Sequence, residues 1–195
     1  MKRNIVIATV AAAALIAGGT ATALAVTGED DQDAQRQTDT RTTDTRTTDH
    51  AVRAATAEVT APEAIATALK HTAGTVVSAE LDDEDAGEPT VWEVEILSSA
   101  GTWHHLDLDP GNGKILDTRT ENADEDDTAE ARAALKNTPG TAAEAAEATA
   151  AKGTVTSVDL DDKGWETETR SPGEPARDWQ VNPTTGKITP GTDDD

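Results

Sequence analysis

The chain has 195 residues, with 38 acidic and 16 basic side chains and a formal net charge of −22 at pH 7. That charge repels phosphate backbones and anionic membrane surfaces, so it argues against nucleic acid as a partner. The absence of cysteine excludes disulfides, a thiolate metal site, a thiol nucleophile and a cysteine-linked lipid anchor. Because Phe and Tyr are also absent, the four Trp and the scarce aliphatic residues must form any core.

Residues 1–25 are predicted to be a secretory signal peptide. Lys2 and Arg3 form its positive end, an apolar run follows, and an Ala-Leu-Ala cleavage site ends at Ala25. The alternative is an uncleaved anchor, since the uncharged stretch 5–26 is just long enough to cross a bilayer at about 20 residues. Its many Ala, Thr and Gly residues make it weakly hydrophobic. We therefore favour cleavage and a secreted or cell-envelope location.

Residues 26–57 are predicted to be a disordered linker rich in Thr and Asp. The pattern D-T-R-T-T occurs twice between positions 39 and 48, with no large apolar side chain. Such a segment buries too little surface to offset an ordering entropy of about 1–2 kcal/mol per residue. It would act as a spacer between the cell surface and the folded part.

A first small domain is predicted over residues 58–120, and it begins with a helix. Thr60 is a capping residue, followed by Pro in the first turn and by Glu63 three residues after the cap. The apolar spacing continues the helix over 64–71, and Gly74 ends it.

The rest of this domain alternates as β-strands. Residues 74–81 predict a strand with Val77, Ala79 and Leu81 on one face, and 91–97 and 103–108 predict two more. A turn rich in Pro, Gly and Asn covers 109–113 and leads to a short closing strand. One helix followed by an antiparallel meander is the expected arrangement.

A second domain of the same kind is predicted over residues 128–191, after an acidic linker at 121–127 and before an acidic tail at 192–195. Residues 91–115 align without a gap to 164–188, at an offset of 73, and eight of the 25 positions are identical. Internal repetition of this kind predicts two copies of one structural unit. The expected fold class is α+β, with two small repeats that each pack one helix on a short antiparallel sheet.

The interior of the second copy is expected to be weaker than that of the first. At four matched positions a larger apolar residue of the first copy is replaced in the second by Ala or Thr: Ile65 by Ala146, Leu69 by Ala150, Val94 by Thr167, and Ile96 by Thr169. Because loss of buried volume costs about 2–5 kcal/mol per large-to-small change in an established core, the second copy is predicted to be less stable.

The chain resembles a tandem PepSY-domain protein. The resemblance rests on the capped helices after Thr60 and Thr141, on G-T-V-x-S-x-x-L-D-D at 74 and 153, on W-E-x-E at 92 and 165, and on the closing P-x-x-G-K-I. It implies an extracytoplasmic, non-enzymatic module that restrains or modulates a secreted or cell-surface peptidase, and it provides no catalytic residues.

The residues that could form a catalytic or metal-binding site do not have the spacing that such a site requires. His104 and His105 are adjacent on one strand and so point to opposite faces. The 107–113 segment lacks the Gly and the Glu of a calcium loop at the required positions. Glu93 and Glu95 are predicted to face water without a cleft that would raise either pKa. We therefore predict no catalytic residue, no metal site and no cofactor.

The most plausible recognition surface is the edge of a small sheet, to which a partner's extended segment can add as a strand. Trp103 is a possible partner contact, because it lies opposite Leu106 by strand parity and Ala176 takes its place in the second copy. Packing of Trp103 against the other copy or the linker is the alternative. A peptidase or peptide is the expected partner, and the alternative function is an acidic envelope spacer or cation buffer without a specific partner.

Overall fold

The computed structural model describes residues 57–82, 89–121, 125–182 and 184–191. These residues all belong to one compact unit, Thr45–Asp195. The predicted signal peptide, the linker before residue 57 and the C-terminal acidic tail lie outside the described residues. Among the described residues, no helix is both long and apolar enough to cross a membrane.

Three α-helices are described: α1 spans Ala61–His71, α2 spans Glu125–Asn137 and α3 spans Ala142–Thr149, with a 3₁₀ turn at Ala150–Lys152. The two predicted capping residues begin α1 and α3. The backbone N–H of Thr60 donates to Glu63, and that of Thr141 donates to Glu144. These carboxylates satisfy otherwise free donors at the helix starts.

Eight strands form one antiparallel sheet. They are β1 (Thr75–Asp82), β2 (Val91–Leu97), β3 (Trp103–Leu108), β4 (Ile115–Glu121), β5 (Thr154–Asp161), β6 (Gly164–Arg170), β7 (Arg177–Val181) and β8 (Ile188–Pro190). Their order across the sheet is β4-β3-β2-β1-β5-β6-β7-β8. The fold is therefore α+β, as predicted.

The expectation of two separate small sheets is corrected by the pairing of β1 with β5. Ser78 faces Asp159, Ala79 faces Val158 and Glu80 faces Ser157. An isolated four-stranded meander would leave the outer edges of β1 and β5 unpaired, and each edge here satisfies the other. Strand alternation is the same with or without this pairing, so alternation alone does not predict it.

The main core lies between the sheet and helices α1 and α3. Trp92 and Trp165 are both only 1% exposed, and they share one continuous cluster of buried residues with Ile65, Leu106 and Val158. Because the apolar cluster runs through both halves of the sheet, the halves are not independent hydrophobic units.

A β-bulge changes the predicted facing of β1. The register shifts between Val76 and Ser78, which places Val76, rather than Val77, in the core with Ala79 and Leu81. Val77 is buried outside that core cluster. An extra residue in one strand shifts the side-chain alternation by one position, and simple parity from the sequence does not reveal it.

Helix α2 lies on the sheet face opposite α1 and α3, which we call the open face. It begins at Glu125, so 125–127 of the expected acidic linker are helical. Only Thr128 and Ala131 of this helix are buried. The helix therefore covers a small part of the open face with a mostly polar surface.

Candidate functional site

The outer edge of β4 is the longer of the two exposed sheet edges. β4 has seven residues and β8 has three, and these strands stand at opposite ends of the strand order. Six of the seven β4 residues are exposed, including the apolar Leu116. The β1–β5 pairing uses the other potential edges, so β4 is the main place where another strand can be added.

A cluster of charged side chains borders this edge on the open face. We call it the edge cluster, and its members are Glu93, Glu95, His105, Asp107, Asp117, Arg119 and Glu121. The register explains its formation, because Glu95 pairs with His105 and His105 pairs in turn with Arg119. Three neighbouring strands thus contribute charges at the same level of the sheet.

His105 lies between two carboxylates. Its Nδ1 is 3.1 Å from Glu95 Oε1, and its Nε2 is 3.3 Å from Glu121 Oε2. Hydrogen bonding to Glu95 raises the pKa of His105 above its ordinary value of 6.5, and the charge of Glu121 adds to this rise against the effect of partial burial. The imidazolium form is therefore the form that this site favours.

Arg119 provides the other positive charge of the edge cluster. Its guanidinium is 2.9 Å from Asp107, 3.5 Å from Asp117 and 3.7 Å from Glu93. Partial burial raises the pKa of Glu93, with a further rise from the charge of Asp107. The cluster is thus an acidic surface that surrounds Arg119 and His105, which suits recognition of a charged segment better than proton transfer to a substrate.

A second polar feature lies where the two halves of the sheet join. Ser78 donates to Asp159 Oδ1 at 2.6 Å, and Ser157 donates to the other oxygen of Asp159. Burial raises the pKa of Asp159, although both hydroxyl hydrogen bonds act to lower it. Sequence reasoning missed this group because Ser78 and Asp159 meet only through the β1–β5 register.

Trp103 is covered by α2, which agrees with the alternative that it packs against the other copy or the linker rather than standing exposed. Only 3% of the residue is accessible, and its Nε1 donates to Thr128 Oγ1 at 3.1 Å. Arg132, one turn further along α2, donates to the carbonyl of Ser99 at 3.0 Å. A partner could therefore contact the Trp103 ring only if α2 moved away, and such a contact stays a prediction.

The residues weighed for catalysis do not form a catalytic arrangement in the described part of the chain. His104 pairs with Ile96 and His105 with Glu95, so the two imidazoles lie on opposite faces. No group of three His, Cys, Asp or Glu side chains with metal-binding geometry occurs among the described residues. The site that the geometry offers is a strand edge with a charged border, which is typical of a binding module.

Comparison with known proteins agrees with this class for the first half of the sheet. Residues 51–119 match the family PepSY, "Peptidase propeptide and YPEB domain". A PepSY domain is therefore present in this part of the chain, and it indicates an extracytoplasmic regulatory or binding module of a kind that is generally non-catalytic. No catalytic family is indicated by this match.

Comparisons with solved structures and with curated proteins add no information about function. The "putative lipoprotein" of Clostridium difficile 630, known from a crystal structure, is 21% identical, with a TM-score of 0.43, and the match covers 68% of this chain and 91% of that chain. No curated protein matches the chain.

Proposed function

We propose that the protein is an extracytoplasmic, non-catalytic binding module of two PepSY-like units, and that it modulates a secreted or cell-surface peptidase. The observation that carries the proposal is the exposed edge of β4, a strand of seven residues. The first five of these residues lie within the segment that matches PepSY. That edge can pair with an extended segment of a peptidase, and pairing would block or redirect the segment.

Local geometry supports a second PepSY-like unit over residues 141–190. Each half of the sheet has a capped helix followed by four antiparallel strands. The first strand of each half also has a bulge at the matching place, between Val76 and Ser78 and between Val155 and Ser157. Since bulges are specific local features rather than generic ones, their match favours duplication of one unit.

The mode of binding follows from the chemistry of a strand edge. Main-chain hydrogen bonds of an added strand provide affinity for any extended segment, and side chains beside the edge select among segments. On the open face, β4 presents Asp117, Arg119 and Glu121 in alternation. Opposite charges across neighbouring strands are favourable, so we expect a segment with basic side chains beside Asp117 and Glu121.

The test compares proline substitutions on β4. In a strand, the N–H groups of successive residues point to opposite sides. Of the two variants Thr118→Pro and Arg119→Pro, one therefore loses an N–H that points outward and keeps the pairing of β4 with β3. The variant that keeps this pairing stays folded, and tryptophan fluorescence identifies it. Thr118→Val and Arg119→Gln, which keep the N–H, are the matched controls.

The assay measures hydrolysis of a fluorogenic peptide by secreted peptidases of the producing strain, with and without the protein. We expect the wild type and the matched control to change the rate, and the folded proline variant to lose most of that effect. An equal effect of the proline variant and the wild type would reject the β4 edge. Calcium uptake without any effect on peptidases would favour the acidic spacer or cation buffer instead.

A further inference from the structure

A cavity of about 380 Å³ lies between helix α2 and the adjoining ends of β1 and β2. Ala73, Leu97 and Leu135 form part of its wall, and Ser98, Ser99 and Arg132 also line it. Small-molecule and peptide-end sites commonly have this size and this mixture of apolar wall and a few polar groups. The cavity is separate from the β4 edge, and nothing in the proposed function depends on it.

Arg132 is unusual among the arginines that the structure describes. Arg119, Arg170 and Arg177 each have a carboxylate within ion-pair distance. Arg132 has none among the described residues, although acidic side chains outnumber basic ones by more than two to one in the chain. Its Nη2 donates to the carbonyl of Ser99, which fixes the guanidinium at the cavity wall.

A guanidinium held in this way retains further N–H donors for a ligand. It has five N–H groups in a planar fork that matches a carboxylate, and the bond to Ser99 uses one of them. The nearby part of the lining formed by Ala73, Leu97 and Leu135 is apolar. A carboxylate that carries a short aliphatic group fits both features.

We propose that this cavity binds the free C-terminal carboxylate of a peptide whose last residue is aliphatic. Arg132 would hold the carboxylate, and Leu97 and Leu135 would contact the terminal side chain. Arg132 and Leu135 both lie beyond residues 51–119, so the matched PepSY segment contributes only part of the site.

The test uses acetyl-Ala-Ala-Leu with a free C-terminus and the same peptide as its C-terminal amide. Binding to the full chain is followed by NMR, from the methyl resonances of Leu97 and Leu135. We expect the free acid to bind at least about tenfold more tightly than the amide, because the amide has no charge to pair with Arg132. Equal affinities of acid and amide would overturn the proposal.

Variants of Arg132 sharpen the same measurement. Arg132→Gln should lower the affinity for the free acid about tenfold, to the level of the amide, and Arg132→Lys should retain part of it. Arg177→Gln, a change at an exposed arginine on β7, should leave the affinity unchanged. An Arg132→Gln variant that binds the acid as the wild type does would reject the assignment.

Two further readouts separate this proposal from simpler explanations. The indole N–H resonance of Trp103 reports its bond to Thr128, so an unchanged resonance in Arg132→Gln shows that α2 is still docked. If that resonance shifts, Arg132→Gln has disturbed the docking of α2. The proposal is then judged from the affinities of the unaltered chain for the acid and for the amide. Octanoate that binds as tightly as the peptide acid would overturn the choice of a peptide terminus.

Discussion

The two halves of the sheet have the same order of elements but different interiors. In the first half, Trp92 Nε1 donates to the carbonyl of Val59 at 2.9 Å. In the second half, the matching Trp165 is as deeply buried, but its Nε1 has no hydrogen-bond partner among the residues that the structure describes. A shared backbone plan therefore tolerates an interior in which polar groups are less well satisfied.

Threonines in the second half extend this contrast. Thr167 and Thr169, which replace Val94 and Ile96, are both buried. Thr169 accepts a hydrogen bond from Trp179 Nε1 at 2.8 Å, whereas Thr167 Oγ1 has no hydrogen-bond partner in the described part of the chain. In the second half, one of the two threonine hydroxyls thus has a hydrogen-bond partner and the other has none among the described residues. Contacts with α1 and β1 hold this half to the better-packed first half.

The largest expected difference concerns the halves as separate fragments. Residues 128–195 alone should be digested by protease much faster than residues 58–120 alone, because both fragments lose the β1–β5 pairing and the shared core, and 128–195 has the smaller apolar side chains left to hold it. Limited proteolysis of both fragments and of 58–195 measures this. Equal resistance of the two fragments would remove the contrast in stability.

The same substitution at the two buried tryptophans should lower the free energy of unfolding by different amounts in the two halves. Trp92→Phe breaks the bond to Val59 and leaves a carbonyl without its donor, whereas Trp165→Phe removes a donor that has no partner. We expect Trp92→Phe to cost about 1–2 kcal/mol more in the free energy of unfolding. Urea denaturation of both variants checks the difference, and equal losses would contradict it.

A smaller effect is expected at the unpaired hydroxyl of the second half. Thr167→Val keeps the shape of the side chain and removes a buried group without a partner, so it should stabilise the protein by about 1 kcal/mol. Thr169→Val is the control, since it takes the acceptor away from Trp179 and should not stabilise. Thermal and urea unfolding measure both, and a gain from Thr169→Val alone would reverse the interpretation.

The smallest effect is a pH dependence in the first half. The raised pKa of His105 means that its contribution to stability is fully present below pH 6.5 and is lost as the pH rises through the raised value. Its matching residue in the second half is Asp178, so the second half has no histidine at this place. We expect His105→Gln to flatten the stability profile above pH 6.5, by up to about 1 kcal/mol.

The His105 prediction is checked by two measurements. NMR titration of the imidazole should give a midpoint above 6.5, and urea unfolding at several pH values should show the slope only in the wild type. A midpoint at or below 6.5 would mean that Glu95 does not hold the proton on His105.

Local patterns predicted most individual elements correctly. Strict alternation predicted β2 at 91–97 and β3 at 103–108 with their observed bounds. The Thr60 cap and Gly74 bracketed α1, which spans Ala61–His71. These features depend on neighbouring residues alone, which is why one sequence was enough to find them.

The candidate site was harder to predict than the elements that carry it. A sheet edge was expected to bind a partner, but which edge stays free depends on the pairing of β1 with β5. The edge cluster depends on a register that brings Glu95, His105 and Arg119 side by side. Trp103 was expected either as an exposed partner contact or packed against the other copy or the linker, and strand parity does not reveal that α2 covers it.

The amino-acid sequence by itself determined the capped helices, the alternating strands and the unequal interiors of the two halves, because each follows from short-range spacing and side-chain size. Tertiary structure alone decided that two meanders merge into one sheet, that a bulge turns Val77 away from the core, and that α2 closes over Trp103. The reason is that strand edges and exposed apolar rings find partners across long separations in the chain. No local pattern specifies which partner each of them will meet.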